Sequence, residues 1–405
     1  MTSPAHSATL AKARPIRCAS APEIRQTEMG SFFMVSAGAA FDTPGATAVE
    51  LADFYNTTRD ARKVIVVDLG FLGDAVHLLP ALWEIRRHYA TAALHVLTTP
   101  VAAEVLALAG CADRLWPLEL MPGRRSLGEH RRVLAGLRRE RFDVAINLSA
   151  ADRSIILTAL TGARHRLALL GGRRHFWNSW LVSHWLPKPD SELPVFEQRR
   201  QALTAAGFAL APARFDLRVP AAAMKWAETT VPEGAIHLSL NSANPLKEWP
   251  VGHYAQLAKR LLADHPQTGS VLSASGSARE QARLDAFFAA VNEARVRRLP
   301  AGLTIAQLAA ALSRCRLHIG PDSGVIHLAM ALGVPTISLF RQRGGYRAWL
   351  PLGEAHRHIL APCDCESDRG SRCEKLGQAQ CLAGIAPEAV ASLAAQMLSS
   401  SVAQA

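Results

Sequence analysis

Residues Cys315 to Phe340 read CRLHIGPDSGVIHLAMALGVPTISLF and divide into three pieces. CRLHI (315–319) is a short apolar run, the pattern of a buried strand. VIHLAMALG (325–333) has helical spacing and ends on Gly333, a helix-terminating residue. VPTISLF (334–340) is a second β-rich run, with Pro335 near its start. Between the first strand and the helix lies Gly320-Pro321-Asp322-Ser323-Gly324. Strand, tight polar turn, helix and strand make the unit of a parallel sheet. A helix starting near Gly324 presents unpaired backbone N–H groups and a partial positive charge to the turn. Gly324 permits close approach to the backbone. Ser323 adds a hydroxyl, Asp322 a carboxylate, and His327 follows one helical turn on. The set suits a pyrophosphate carrying a hydroxylated sugar. The competing reading is that Asp322 or Ser323 caps the helix and His327 packs in a core.

The same alternation runs upstream. AIHLSLNSA (235–243) is a strand entering the polar loop Asn241-Ser242-Ala243-Asn244. Lys247 follows, just before the helix GHYAQLAKRLLADH, where its ammonium can neutralise a phosphate. GSVLSASGS (269–277) is the next strand and turn. Glu280 opens the helix after it, either to accept from ribose hydroxyls or to cap the helix.

A separate α/β series occupies the first half. KVIVVDLG (63–70) is a continuous β-branched run, hence a buried parallel strand. LHVLTT (94–99), RLWPL (114–118) and FDVAINLS (142–149) are further strands, with helical runs between them. Two doubly wound, Rossmann-like halves are predicted, facing a central cleft. The domains are set at 61–225 and 226–398, after an Ala-, Ser-, Thr- and Pro-rich extension over 1–60, partly disordered. In LGFLGDAVH (69–77), the glycines and Asp74 sit past the end of the first strand, where open α/β sheets bind ligands. This is not a dinucleotide fingerprint, since G-x-x-G-D lacks G-x-G-x-x-G, and no Gly-Lys-Ser/Thr follows for a phosphate loop. Asp74 can cap its helix, or take a proton from a bound hydroxyl.

Composition narrows the partners. Lys plus Arg exceed Asp plus Glu by 45 − 34 = +11, and the sequence is 49% hydrophobic. A basic balance favours an anionic partner. Only 4 Tyr and 13 Phe, without basic–aromatic interleaving, exclude a nucleic-acid stacking platform. No apolar run reaches the ~18 residues of a membrane-spanning helix, and SFFMVSAGAA (31–40) follows an acidic residue rather than the basic start of a signal peptide. A cytoplasmic location is expected, with peripheral contact at the inner membrane. Arg124, Arg125, Arg131, Arg132, Arg138, Arg139 and Arg141 form a basic stretch, either a solvated face or a contact for an anionic acceptor or lipid head groups. HFWNSWLVSHWLP (175–187) reads as an acceptor- or membrane-facing element, or as a packed loop and helix. Near the C-terminus Cys363, Cys365, Cys373 and Cys381 follow C-x-C-x7-C-x7-C, candidates for a structural zinc or iron, or thiols packed in a loop.

Taken together, LGDAVHLLPAL (72–82), SANPLKEWPVGHYAQLAKRL (242–261), GPDSGVIHLAMALGVPTISLF (320–340) and CLAGIAPEAV (381–390) resemble glycosyltransferase family 9, the ADP-heptose:lipopolysaccharide heptosyltransferases. The likeness covers about Lys63 to Leu398. It implies a GT-B fold and an inverting transfer of heptose from ADP-L-glycero-D-manno-heptose to a lipopolysaccharide core acceptor, with no cofactor required. It implies Asp74 as catalytic base, with Gly73, His77, Arg124 and Arg125 on the acceptor side. Ser242, Lys247, Glu280, Asp322, Ser323, Gly324 and His327 would bind the ADP-sugar. The N-terminal extension, the bulky Gly70-Phe71-Leu72 turn and the cysteine spacing depart from the family pattern. The extension and the four cysteines keep a protein or other glycan acceptor open, since some relatives modify proteins, with an N-terminal extension and a cysteine-bound iron. A non-catalytic sugar-nucleotide-binding protein is the alternative of another class.

Overall fold

The computed structural model describes residues 51–119, 127–169, 178–266, 268–273, 277–365 and 369–402. Two six-stranded sheets form its frame. The first contains β1 (Lys63–Val67), β2 (Ala93–Thr98), β3 (Arg114–Pro117), β4 (Val144–Asn147), β5 (His165–Leu169) and β6 (His184–Leu186). Its spatial order is β3-β2-β1-β4-β5-β6, with every pair parallel. The second contains β7 (Ala235–Ser239), β8 (Ser270–Ser273), β9 (Val296–Arg298), β10 (Cys315–Pro321), β11 (Thr336–Gln342) and β12 (His356–Pro362). Its order is β12-β11-β10-β7-β8-β9, again all parallel. Read from the other edge, this is the same winding. Each chain half starts in mid-sheet, runs to one edge, then returns to fill the other side. The order therefore reverses between β1 and β4, and again between β7 and β10.

Parallel strands need crossover helices on both faces, so their residues are buried on both sides. Val64, Ile65, Val66 and Val67 all lie fully inside. Burying each such side chain stabilises by about 1.5–3 kcal/mol. Trp249 is the bulkiest buried side chain of the second half, and its indole N–H donates to the Ile385 carbonyl at 3.1 Å.

The helices that matter for the site are α1 (Leu72–His88), α2 (Pro100–Ala109), α3 (Val195–Thr204), α4 (Ala278–Val291), α5 (Ile305–Ser313) and α6 (Gly324–Ala331). Four of them join the halves. Ala75, Val76, Ala102 and Val105 from α1 and α2 pack against Leu308, Leu312, Leu328 and Ala329 from α5 and α6 in one apolar cluster. The Ile305 N–H, at the start of α5, donates to Glu104 of α2 at 2.8 Å.

Local differences from the sequence reading have physical causes. β10 does not stop at Ile319; Gly320 and Pro321 continue it, opposite Ser338 and Leu339 of β11. α6 ends at Ala331, and Gly333 (φ +72°) makes the left-handed exit. The strand β12 was not predicted, because HRHILAP lacks a clear apolar period. The 175–187 segment is not one amphipathic element among its described residues. It splits into a short helix, Asn178–Leu181, and the edge strand β6, leaving Trp180 exposed. Of the expected extension, Phe54–Thr58 form a short helix whose Phe54 is buried in the first core, while residues 1–50 lie outside the described residues.

Candidate active site

In an open α/β sheet the loops at the winding reversal splay apart and leave a crevice at the strand ends. The turn after β1, the loop after β7 and the turn after β10 all lie at such reversals. They carry Asp74, the 241–247 loop and the 322–324 turn.

Ser323 stands at the N-cap of α6, but its side chain makes no capping bond and its hydroxyl oxygen is buried without a partner. Asp322 does not cap either. Its Oδ2 pairs with Lys247 Nζ at 2.7 Å. The first N–H groups of α6 thus have no side-chain cap, and the capping alternative for this turn falls away. Ser242 Oγ donates to the Asp322 carbonyl at 3.0 Å, tying the loop after β7 to the turn after β10. That loop is anchored from below by Glu248, which the sequence reading passed over. Its buried carboxylate accepts from the Ser242 N–H at 2.8 Å and from Arg279 at 2.8 Å, with Arg283 at 3.3 Å. Glu280 lies in the first turn of α4, where Ser277 rather than Glu280 supplies the cap.

On the other side, Asp74 is the third residue of α1. Its Oδ2 accepts from the Phe71 N–H at 3.0 Å. One carboxylate oxygen therefore steadies the helix start, from the third helical position rather than from the N-cap, which is Phe71. The other, Oδ1, lies 3.7 Å from Arg199 Nη2 of α3. Arg199 also meets Asp68, at 3.1 Å from its Oδ2. Asp68 is buried at the end of β1, and burial pushes its carboxyl above the usual range. Neither Asp68 nor Arg199 was singled out in the sequence. Asp68 reads only as part of the strand run KVIVVDLG, and the sequence reading passes over residues 195–204.

The starts of α1 and α6 touch. A Cβ on Gly73 would lie 3.0 Å from His327 Cδ2 and 3.6 Å from Gly324 Cα; a Cβ on Gly324 would meet Leu72 Cβ at 2.5 Å. The close approach that glycine permits at 324 is to the partner helix as well as to any ligand. Beneath the contact, His77 Nε2 and His327 Nδ1 share a hydrogen bond at 3.1 Å, with Trp349 beside both rings. Burial lowers the proton affinity of His77 far below normal and that of His327 to about 4. Both are neutral at pH 7.

Two cavities open beside this contact. One, of about 320 Å³, runs between the halves, with Glu104 on one wall and Asn241, Ser242, Glu280, Ser323 and Gly324 on the other. The second, of about 220 Å³, holds Lys247 and Asp322 together with Arg341, Tyr346 and Trp349. The wall between them is the 242–247 loop and the 322–324 turn.

Arg124 and Arg125 lie outside the described residues. The four tail cysteines are drawn together: the Cys365 thiol hydrogen-bonds with those of Cys363 and Cys373, and the Cys381 thiol with that of Cys363. Among the described residues no group of three or more His, Cys, Asp or Glu is arranged to hold a metal ion. Burial, then the neighbouring Cys363, pushes Cys381 up to about 11, and bonding to Cys363 raises Cys365. All four are free thiols, Cys373 buried and the other three partly exposed.

Two Rossmann-wound sheets facing a cleft at their reversal points define the GT-B class of fold. Residues 130–377, more than half of the chain, match glycosyltransferase family 9 (heptosyltransferase), and the chain belongs to that family. It is 26% identical over 298 residues to lipopolysaccharide heptosyltransferase 2 of Salmonella typhimurium, covering 69% of this chain and 82% of that one. It is 27% identical over 297 residues to lipopolysaccharide heptosyltransferase 1 of Pseudomonas aeruginosa, covering 69% and 78%. Among solved structures, the Escherichia coli ADP-heptose lipopolysaccharide heptosyltransferase II superposes with a TM-score of 0.66 at 22% identity, over 84% of this chain and 99% of that one. A family 9 glycosyltransferase from Veillonella parvula gives 0.70 at 18%, over 83% and 97%. Those two superpositions bear on the fold. Family membership and the curated relatives make the protein a glycosyltransferase.

Proposed function

We propose that the protein transfers heptose from ADP-L-glycero-D-manno-heptose to a lipopolysaccharide core acceptor, with inversion. The observation that carries the reading is the contact between the two helix starts. It sets Asp74, one oxygen of which is not used in capping, beside an uncapped helix N-terminus and Lys247. The nucleoside occupies the 320 Å³ cavity, with Glu280 toward the ribose. The diphosphate lies at Ser242, Lys247, Ser323 and Gly324, and the sugar reaches toward Asp322. Residues 61–225 hold the acceptor and 226–398 the donor.

Asp74 Oδ1 takes the proton of the acceptor hydroxyl as its oxygen attacks the anomeric carbon. The bond from that carbon to the phosphate oxygen breaks on the opposite face, and its electron pair leaves with ADP. Charge gathers on the departing diphosphate as this happens. The α6 N–H groups and Lys247 are preorganised to meet it, so the reading requires no metal ion. The sugar and the acceptor class are taken from the heptosyltransferase relatives. Among the described residues no helix is long and apolar enough to cross a membrane. The proposal places the enzyme at the cytoplasmic face of the inner membrane, where such an acceptor is reached from solution.

Two measurements test this. Excess ADP should raise the melting temperature while UDP, GDP and NAD do not, since a ligand of the folded state stabilises by mass action. Asp74→Ala should then lose transfer and keep the ADP-induced rise. A shift with UDP or GDP alone would discard the donor, and turnover by Asp74→Ala would discard the base.

A further inference from the structure

One guanidinium serves two carboxylates at the mouth of this site. Arg199 is nearly buried on α3, its side chain 10% exposed. Its Nη1 donates to the main-chain carbonyl of Asp74 at 2.7 Å. Its Nη2 faces Asp68 Oδ2 at 3.1 Å and Asp74 Oδ1 at 3.7 Å. Asp68 in turn is held by the Gly70 N–H on its Oδ1 at 2.9 Å, and its Oδ2 has Arg199 as its facing group. The turn between them is closed tightly, for a Cβ on Gly70 would fall 2.2 Å from Asp74 Cβ and 2.9 Å from Asp68 Oδ1.

An arginine facing a lone aspartate makes a poor base of it, because the ion pair favours the charged carboxylate. Here the buried Asp68 stands closer to the guanidinium than Asp74 does. It offsets much of the arginine's charge, while the Nη1 bond still fixes the backbone of Asp74. We infer that Arg199 and Asp68 are a positioning pair for the reaction: Arg199 orients Asp74, and Asp68 sets how strongly Asp74 holds a proton. This rests on the reading of Asp74 as the base. The other titratable groups around Asp74 are His77 on its own helix and His327 on α6, both buried and neutral at pH 7, and, on the far side of His327, the ion pair of Lys247 and Asp322, whose charges offset each other.

The test is the acidic limb of the pH–rate profile. The base must be ionised to act, so activity falls as pH drops through its apparent pKa. Arg199→Gln removes the positive charge, and the limb midpoint rises by about one pH unit. Asp68→Asn leaves Asp74 facing the full guanidinium, and the midpoint falls by about one unit. Arg199→Lys keeps the charge, hence the midpoint, but lowers kcat, because a single ammonium cannot hold both the carbonyl and a carboxylate. The ADP-induced rise in melting temperature stays the same in all three, since the donor groups lie elsewhere. The same displacements are read without turnover from the titration of 13Cγ-labelled aspartate signals, with the Asp74 signal assigned by its loss in Asp74→Asn. Midpoints that stay put, or that move in the same direction in Arg199→Gln and Asp68→Asn, overturn the inference. If Asp68→Asn does not fold, an unmoved midpoint in Arg199→Gln overturns it alone. Asp74→Asn separates the two ideas. Full activity in that variant sinks the base assignment; a dead Asp74→Asn beside an unmoved Arg199→Gln limb sinks only the positioning pair.

Discussion

The packing of α1 on α6 makes a quantitative prediction for Gly324→Ala. The added methyl would sit 2.5 Å from Leu72 Cβ, 2.7 Å from its Cγ and 2.8 Å from its Cδ2. Carbon atoms rest about 3.5–4.0 Å apart at their energy minimum, so roughly 1 Å of separation must be found. Turning the Leu72 side chain does not supply it, because the closest atom is Cβ, which moves only with the helix. The helices must part, and the His77–His327 bond and the apolar cluster around Leu328 and Ala329 loosen with them. Overpacking of this kind costs about 1–3 kcal/mol. Urea unfolding of Gly324→Ala, of Leu72→Gly and of the double variant would measure it. Leu72→Gly removes all three clashing atoms, so the double variant should be more stable than the sum of the single changes predicts, by at least about 1 kcal/mol. Leu72→Ala keeps the nearest atom and should rescue less. Additivity of Gly324→Ala and Leu72→Gly within about 0.5 kcal/mol would refute the claim that the two helix starts limit each other.

The buried histidines predict acid sensitivity. Burial lowers the folded-state value to about 3 for His237 and about 4 for His327, from an ordinary 6.5. The unfolded chain takes up protons near 6.5 and the folded one does not. The stability these groups allow is therefore full above 6.5 and lost as pH falls toward their folded values. Between pH 7.5 and 5.5 each costs about 1.4 kcal/mol, roughly 3 kcal/mol for the two; a urea midpoint that holds steady over that interval would contradict it. Lys247→Met removes the partner of Asp322 and a charge from the proposed diphosphate site. ADP affinity should fall about 10- to 100-fold, the worth of a hydrogen bond to a charged group. A dissociation constant changed less than twofold by calorimetry would take Lys247 out of that role.

Much of the fold could be read along the chain because its information is local. A β-branched run such as KVIVV has few alternatives to a strand buried on both faces, and the polar turn at 320–324 announces a strand-to-helix passage. The family motifs, with Asp74, Lys247 and Asp322 in them, are likewise short and contiguous. The unpredicted β12 and the split of residues 175–187 show the limit. HRHILAP is a strand because β11 offers it a parallel edge, and nothing in its own pattern requires that.

The α/β class, the two strand–helix series, the family and the residue types at the strand ends were legible along the chain, since each depends on neighbours within a few positions. How those residues are used followed from packing alone. Asp322 could have capped α6; it turned instead to Lys247, 75 positions away in the chain, because the 241–247 loop is pinned beside it by Glu248. His77 and His327, assigned to opposite sides of the cleft, met as one buried pair. Nothing in its own stretch marks Arg199; the packing of α3 on α1 brings it to Asp68 and Asp74. The physical reason is common to all three. Hydrogen bonds and ion pairs form between groups that folding brings within about 3 Å, and separation along the chain carries no record of that distance.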